Sequence, residues 1–381
     1  MKRVIATPRS NWQRQVESAG LFFHTLPDGK PYWNESAYYQ FTSQEISTLE
    51  IATQELDRMC LAAVDHIIAY NRFTELQVPD YFVNYIKQSW ENDQHTIYGR
   101  FDLVFDGVNP PKLLEFNADT PTSLMEAAVI QWNWLEQMHA NEDQFNSIHE
   151  RLIEAWQRFA QETSLQNAVH FSCMQDQDED ELTITYMMDV AQQAGLTTIP
   201  IQIEQIGWDS SRRCFVDARS QPIQTLFKLY PWEWLMVEEF GRNIPLVNLN
   251  MKWLEPAWKM LLSGKGLLPI LWEMYPDHPY LLRASWQPID DTVMVRKPAR
   301  GREGANVTIL DDNFVVAQTS GTYDDGQWVY QEFQPPGRFD GNTAIIGSWM
   351  VNGYACGIGV REDDELVTQN TSRFVPHLIR G

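Results

Sequence analysis

A chain of 381 residues is long enough for two or three packed regions, and its 15 Trp, 14 Tyr and 18 Phe exclude intrinsic disorder. Its formal net charge of −22 sets the mean surface field against nucleic acid and anionic lipid as partners. Four cysteines with no CxxC or other short spacing supply neither a zinc site nor a disulfide framework, as befits a reducing cytosol.

The N-terminal run MKRVIATPRSNW is basic but lacks the apolar stretch of a signal peptide. No segment approaches the roughly 20 apolar residues that span a bilayer, so a soluble cytoplasmic protein is expected. Thr42-Ser43-Gln44-Glu45 forms a capping box, and Ile46, Leu49, Leu56, Met59, Val64 and Ile67 then recur at helical spacing. A second amphipathic helix is predicted from about Asn146 to Phe159. A β–α–β unit follows: a strand over 168–174, a helix opening on Asp178-Glu179-Asp180-Glu181 and ending at Gly195, and a strand over 197–203. The acidic run suits a helix N-terminus without a cation site. Lys252–Trp272 reads as a Trp- and Leu-rich helical stretch interrupted by Gly264-Lys265-Gly266. Short strands with glycine turns then dominate at 293–297, 306–310, 328–333, 344–351 and 356–361, with antiparallel pairing expected. The chain is therefore an α/β (α+β) protein of more than one lobe.

The segment YGRFDLVFDGVNPPKLLEFNADTPTS carries the first chemical signal. Arg100–Phe105 and Lys112–Asn117 read as strands joined by a dense turn at 106–111. A symmetric hairpin places Asp102 opposite Glu115 and Arg100 opposite Asn117, all four on one face. Opposed carboxylates repel, by roughly 1 kcal/mol at 4 Å in water and roughly 4 at an effective dielectric of 20. A hard divalent cation reverses that sign, and Asp102, Glu115 and Asn117 offer the oxygen donors that Mg²⁺ takes. A solvated Arg–carboxylate face satisfies the same residues. Hydroxyls after the hairpin, at Thr120, Thr122 and Ser123, precede a helical run over 124–134; they suit either an anion or a plain N-cap.

The second signal is VMVRKPARGREGANVTIL. Lys297 ends a strand, and the flexible basic loop 299–305 can cover phosphates with backbone N–H groups. It is not a Walker A loop, and the kinase HRD and DFG set is absent. Lys265 sits between two glycines, and Arg361 ends an apolar strand near the C-terminus. No GxSxG, HExxH or close Cys–His pair competes as a chemical site.

Seven ordered motifs, YGRFD, LLEFNADTPTSL, KLYPWEW, SGKGLLPILW, RKPARGREGANV, YQEF and GVRED, resemble the synthetase domain of glutathionylspermidine synthase over almost the whole chain. The likeness extends to stand-alone bacterial relatives described as acid–amine ligases. It implies a circularly permuted ATP-grasp fold with a β–α–β substrate-side lobe. The implied lobes are a helical region over 1–95, a metal-hairpin and β–α–β region over 96–250, and a glycine-loop nucleotide-binding lobe over 251–381. By the resemblance, Mg²⁺ sits on Asp102, Glu115 and Asn117, and Arg100 and Arg361 flank the transferring phosphoryl group. Lys265 and Lys297 contact ATP phosphates, Glu303 and Gly304 cover the nucleotide, and Gln331, Glu332, Phe333, Leu366, Val367 and Thr368 complete the ATP site. Thr120 and Thr122 fall near the acid substrate and Glu233 near the amine.

The implied activity is ADP-forming amide synthesis through an acyl phosphate, with a small carboxylic acid and an amine as substrates; a glutathione-like peptide and a polyamine-like amine fit the pattern. A nucleotide-binding regulatory module without turnover is the alternative. The sequence departs from the family in lacking a Cys–His amidase domain, so amide hydrolysis is not expected. Its C-terminal run Asn370-Thr371-Ser372-Arg373-Phe374-Val375-Pro376-His377 supplies no evident counterpart of the acidic residue that the family uses toward a polyamine, and Arg373 would repel one.

Overall fold

Thr42 opens its helix through the expected capping box: the Glu45 amide donates to the Thr42 hydroxyl at 3.2 Å, and the Thr42 amide donates to the Glu45 carboxylate at 2.7 Å. The computed structural model describes residues 1–165, 167–247, 251–312, 314–323 and 326–380. In it this helix runs Ser43–Ala69 and buries Ile46, Leu49, Leu56, Met59, Val64 and Ile67, as the spacing requires. The helix predicted from Asn146 runs Ile148–Glu162.

The helix Ser43–Ala69 packs on a six-stranded antiparallel sheet made of Tyr98–Val104, Lys112–Asn117, Arg338–Phe339, Asn342–Val351, Tyr354–Asp363 and Arg373–Val375. Asn342–Val351 lies beside Tyr98–Val104, so distant parts of the chain share this sheet. Its alternation turns Ser348 toward the helix, where the Thr53 and Ser348 hydroxyls meet at 2.7 Å. Gly347 and Trp349 face the other way, paired with Asp102 and Arg100.

The β–α–β reading is correct. Val169–Cys173 and Thr198–Gln202 are parallel neighbours joined by the helix Asp178–Gln193, and Gly195 beyond it takes the left-handed φ of +91° that ends helices. The sheet continues through Thr225–Lys228 to Lys252–Leu254. The last strand corrects the helical reading of 252–272: Trp253 and Leu254 are buried in parallel pairing, and α-helix is confined to Met260–Ser263 and Leu267–Met274, the first preceded by a 3-10 turn at Ala257–Lys259. The stretch 124–134 also needs adjustment, since a π-helical turn at Glu126–Ile130 precedes the α-helix Gln131–Met138. From Val169–Cys173 the chain moves first to one neighbour and later returns on the other side. This strand reversal opens a crevice at the carboxyl ends of Val169–Cys173 and Thr225–Lys228.

A five-stranded antiparallel sheet comprises Ala284–Ser285, Met294–Pro298, Thr308–Asp311, Phe314–Gln318 and Trp328–Glu332. Its edge strand Phe314–Gln318 has no counterpart in the sequence reading. Asn306 lies outside the strand predicted at 306–310 because its φ of +55° is incompatible with extended backbone. Small sheets, Lys2–Ile5 with Ala37–Phe41 and His377–Ile379, and Gly207–Asp209 with Cys214–Val216, complete the α/β architecture. No helix among the described residues is long and apolar enough to cross a membrane.

Candidate active site

The carboxylate hairpin has the expected pairing at its cleft end: Arg100 opposes Asn117 and Asp102 opposes Glu115. Between those charged pairs Phe101 and Phe116 project to the opposite face and stack at 3.8 Å between ring centroids. Such a pair contributes on the order of 1 kcal/mol beyond its buried area, and a one-residue slip would exchange it with the charges. The symmetric reading fails at the turn end. A bulge at Leu114 sets Leu103 opposite Leu113 and Val104 opposite Lys112.

Arg100 Nε donates to Asp102 Oδ1 at 2.7 Å and Arg361 Nη2 to Asp102 Oδ2 at 2.7 Å. Asn117 Nδ2 lies 3.4 Å from both Asp102 Oδ2 and Glu115 Oε1, so the three candidate metal donors converge. Lys265 Nζ pairs with Glu115 Oε2 at 2.8 Å. Lys297 Nζ donates to Gln331 Oε1 at 2.7 Å and to the bulged Leu114 carbonyl at 3.2 Å. Burial raises the Glu115 carboxyl, but Lys265 and Lys297 outweigh it and hold the group well below the usual carboxylate range. Burial lowers Lys297 to about 8, with Glu115 opposing and Lys265 assisting.

The donor set fits a hard divalent cation: two carboxylates and an amide whose oxygen and nitrogen exchange by rotation, beside open cleft. Among the described residues no group of three or more His, Cys, Asp and Glu gathers as metal donors, so Asn117 would be needed as the third. Gly347 makes room for Arg100, since a Cβ there would sit 2.9 Å from Arg100 Cδ. Gly347→Val is therefore expected to push the guanidinium off Asp102. A crystal structure of the variant should show the Arg100–Asp102 contact opened beyond hydrogen-bonding distance.

Every residue that the resemblance assigns to ATP, Mg²⁺ or the two substrates lines one cavity of about 410 Å³, whereas Ser123 does not. Val295, Val307, Ile309 and Phe333 pack with Leu366 and Val367 as an apolar slot. Gly304, at φ +69°, approaches so closely that a Cβ would meet the Thr368 carbonyl at 2.4 Å. Thr120, Thr122 and Glu233 line the same cavity, and Arg100 Nη1 donates to the Thr122 carbonyl at 2.6 Å.

Two features escaped the sequence reading. Arg302 of the glycine loop bridges Thr120 Oγ1 at 2.8 Å and Glu233 Oε1 at 3.1 Å. Burial alone would raise the Glu233 carboxyl, but that guanidinium holds it low. Secondly, Glu179 and Asp180 line the cavity as well as opening their helix. Their position after a parallel strand at a strand-order reversal is the signal that could have identified them. Arg373, by contrast, is not part of the cavity lining; it pairs with Glu362 and Asp364.

Behind the acidic wall, Glu126 is buried and accepts a hydrogen bond from Tyr32 Oη at 2.6 Å. Burial, with Glu179 nearby, lifts its carboxyl to about 7. A raised carboxylate pKa favours folding below its unfolded value of about 4.3, and the contribution disappears as pH rises through 7. The full swing is on the order of 3 kcal/mol. Glu126→Gln keeps the acceptor for Tyr32, so its Tm advantage should grow from pH 4.5 to 7 and then level off in thermal denaturation.

A family model described as glutathionylspermidine synthase preATP-grasp matches residues 3–380. The chain belongs to this family. A Haemophilus influenzae member named "Putative acid--amine ligase" is 45% identical, with 99% of both chains covered. Trypanothione synthetase of Crithidia fasciculata is 27% identical over 88% of this chain, and the bifunctional glutathionylspermidine synthetase/amidase of Escherichia coli is 26% identical over 91%. The chain spans only 56% and 60% of those two longer relatives. These glutathionylspermidine synthase relatives are named as synthetases and ligases that form carbon–nitrogen bonds. An apo glutathione synthetase-like effector of Globodera pallida shares the fold at TM-score 0.60, with 11% identity and 99% of both chains covered.

Proposed function

We propose that this protein is an ATP-dependent, ADP-forming ligase that joins a carboxylic acid to an amine. The observation that carries the reading is the opposed pair Asp102 and Glu115, ringed by Arg100, Arg361, Lys265 and Lys297 at one end of a single cleft. The relatives' names and the order of metal hairpin before glycine-loop sheet support a circularly permuted ATP-grasp of this kind.

A free carboxylate is a poor acylating agent and must first be activated. Its oxygen attacks the γ-phosphorus of ATP, the bond to the β-phosphate oxygen breaks, and ADP leaves an acyl phosphate. The amine then attacks the acyl carbon, phosphate departs, and the nitrogen loses a proton to give the amide. Phosphoryl transfer needs in-line positioning and charge neutralisation rather than a protein nucleophile. Mg²⁺ held by Asp102, Glu115 and Asn117 would supply charge neutralisation. Arg100 and Arg361 flank the transferring group, while Lys265 and Lys297 hold phosphate oxygens. Glu303 and Gly304 close over the nucleotide, whose base fits the slot of Gln331, Glu332, Phe333, Leu366, Val367 and Thr368. Thr120 and Thr122 are assigned to the acid, and Glu233 to the cationic amine. A glutathione-like peptide and a polyamine-like amine are the first substrates to try, since the longer Escherichia coli relative is named for glutathionylspermidine.

The test supplies Mg-ATP with glutathione and spermidine, then with fractionated acid and amine metabolites. ADP and product mass are measured together. ADP formed only when both substrates are present, with a product lighter than their sum by one water, is the expected result. ATP binding with no coupled turnover for any pair would reduce the protein to a nucleotide-binding module.

A further inference from the structure

Behind the cavity wall lies an ion pair that touches neither the nucleotide end nor the open cleft. Lys228 Nζ donates to Asp119 Oδ1 at 2.6 Å, and the backbone amide of Trp232 donates to Asp119 Oδ2 at 2.9 Å. Asp119 is 1% exposed and Lys228 fully buried, and neither lines the cavity. The Lys228 ammonium also lies 4.5 Å from the centroid of the Trp232 ring. Burying two charges is costly, and an apolar pair of similar volume would often serve stability equally well. The arrangement therefore calls for a reason beyond folding.

The neighbours in sequence supply it. Asp119 immediately precedes Thr120, and Trp232 immediately precedes Glu233. Lys228 ends a central strand of the parallel sheet, paired with Ser172. One carboxylate thus ties the end of the metal hairpin to the segment carrying Glu233, using a rigid strand as anchor. The two residues brought into register are those that Arg302 bridges.

Resting on the ligase reading for its catalytic consequence, we infer that Asp119 is a positioning residue: through Lys228 and the Trp232 amide it sets the separation of Thr120 and Glu233, and so aligns the acid and amine subsites with each other and with the Arg302 loop. A misplacement of about 1 Å between reacting groups costs up to about a hundredfold in rate, so a buried tether at this point has a functional return.

Single substitutions strand an unpaired buried charge and risk the fold, so paired variants are used. Asp119→Leu with Lys228→Met removes both charges and the acceptor for the Trp232 amide. Asp119→Asn with Lys228→Met removes the charges but keeps an acceptor. The first is expected to fold and bind Mg-ATP, with kcat/KM for glutathione and spermidine down about tenfold to a hundredfold. The second should recover most of that loss. Independently of turnover, hydrogen exchange in the first should quicken at 119–123, 232–236 and 299–305 while strand 98–104 stays protected. A folded Leu/Met variant with normal exchange in all three segments would overturn the inference, as would equal loss in both variants. If the unmodified protein forms no ADP with these substrates, only the ligase reading suffers; the exchange measurement still decides the positioning role.

Discussion

Asp102→Asn combined with Glu115→Gln is expected to abolish ADP formation to within the detection of a coupled assay, a fall of at least about 10²–10³-fold. Both carboxylates are used twice. In the free protein they offset four cations: Arg100 and Arg361 on Asp102, and Lys265 and Lys297 around Glu115. In the proposed complex they would meet a divalent cation and allow those basic groups to turn toward phosphate. The double variant keeps side-chain volume but loses both functions. Thermal denaturation with and without Mg-ATP separates them. Ligand at 100 times its Kd stabilises a folded protein by about 2.7 kcal/mol, so the unmodified chain should show a clear rise in Tm and the variant little or none. A normal Mg-ATP shift and normal turnover in the variant would remove the hairpin from the site.

Lys297→Met should weaken ATP binding by about 10- to 100-fold, the range for losing one hydrogen bond to a charged group. Its pH dependence gives a second check. Burial holds the free ammonium at about 8, so it is protonated below that pH and ready to meet phosphate. Phosphate would raise its pKa, which makes binding take up a proton at alkaline pH. ATP affinity should therefore be level below pH 8 and decline above it in titration calorimetry, and the decline should vanish in Lys297→Met. The Gln331 amide would lose its partner in the variant, yet Gln331 Nε2 still donates to the Leu113 carbonyl at 2.9 Å, which keeps the strand anchored.

Elements whose signals are local were legible in the sequence. Thr42 and Glu45 satisfy one another within a single turn, and the strand, acidic helix start and Gly195 of the β–α–β unit lie within a few tens of residues. The cleft end of the hairpin was legible because charged and aromatic residues alternate there, leaving one register that keeps Phe101 on Phe116. Trp253 and Leu254 misled because two adjacent buried residues in a short strand show no alternation to distinguish it from helix. Arg302 looked like an ordinary loop cation; its partners Thr120 and Glu233 are distant in sequence and share no pattern with it. Long-range pairing such as Gly347 with Asp102 is likewise a property of the folded sheet alone.

The extra residue at Leu114 gives the hairpin two rulers offset by one notch. From the turn, Lys112 and Leu113 count against Val104 and Leu103; from the cleft, Asn117 and Glu115 count against Arg100 and Asp102. Without that notch the turn-side count would bring Leu114, not Glu115, opposite Asp102. The carbonyls at the offset also serve the opposing sheet, Leu114 receiving Lys297 and Leu113 receiving Gln331. A single supernumerary peptide therefore both selects which side chain faces Asp102 and docks the lysine-bearing strand against it. Length changes in the turn at 106–111 can be absorbed outside this joint, whereas a deletion at 114 would misalign both halves at once.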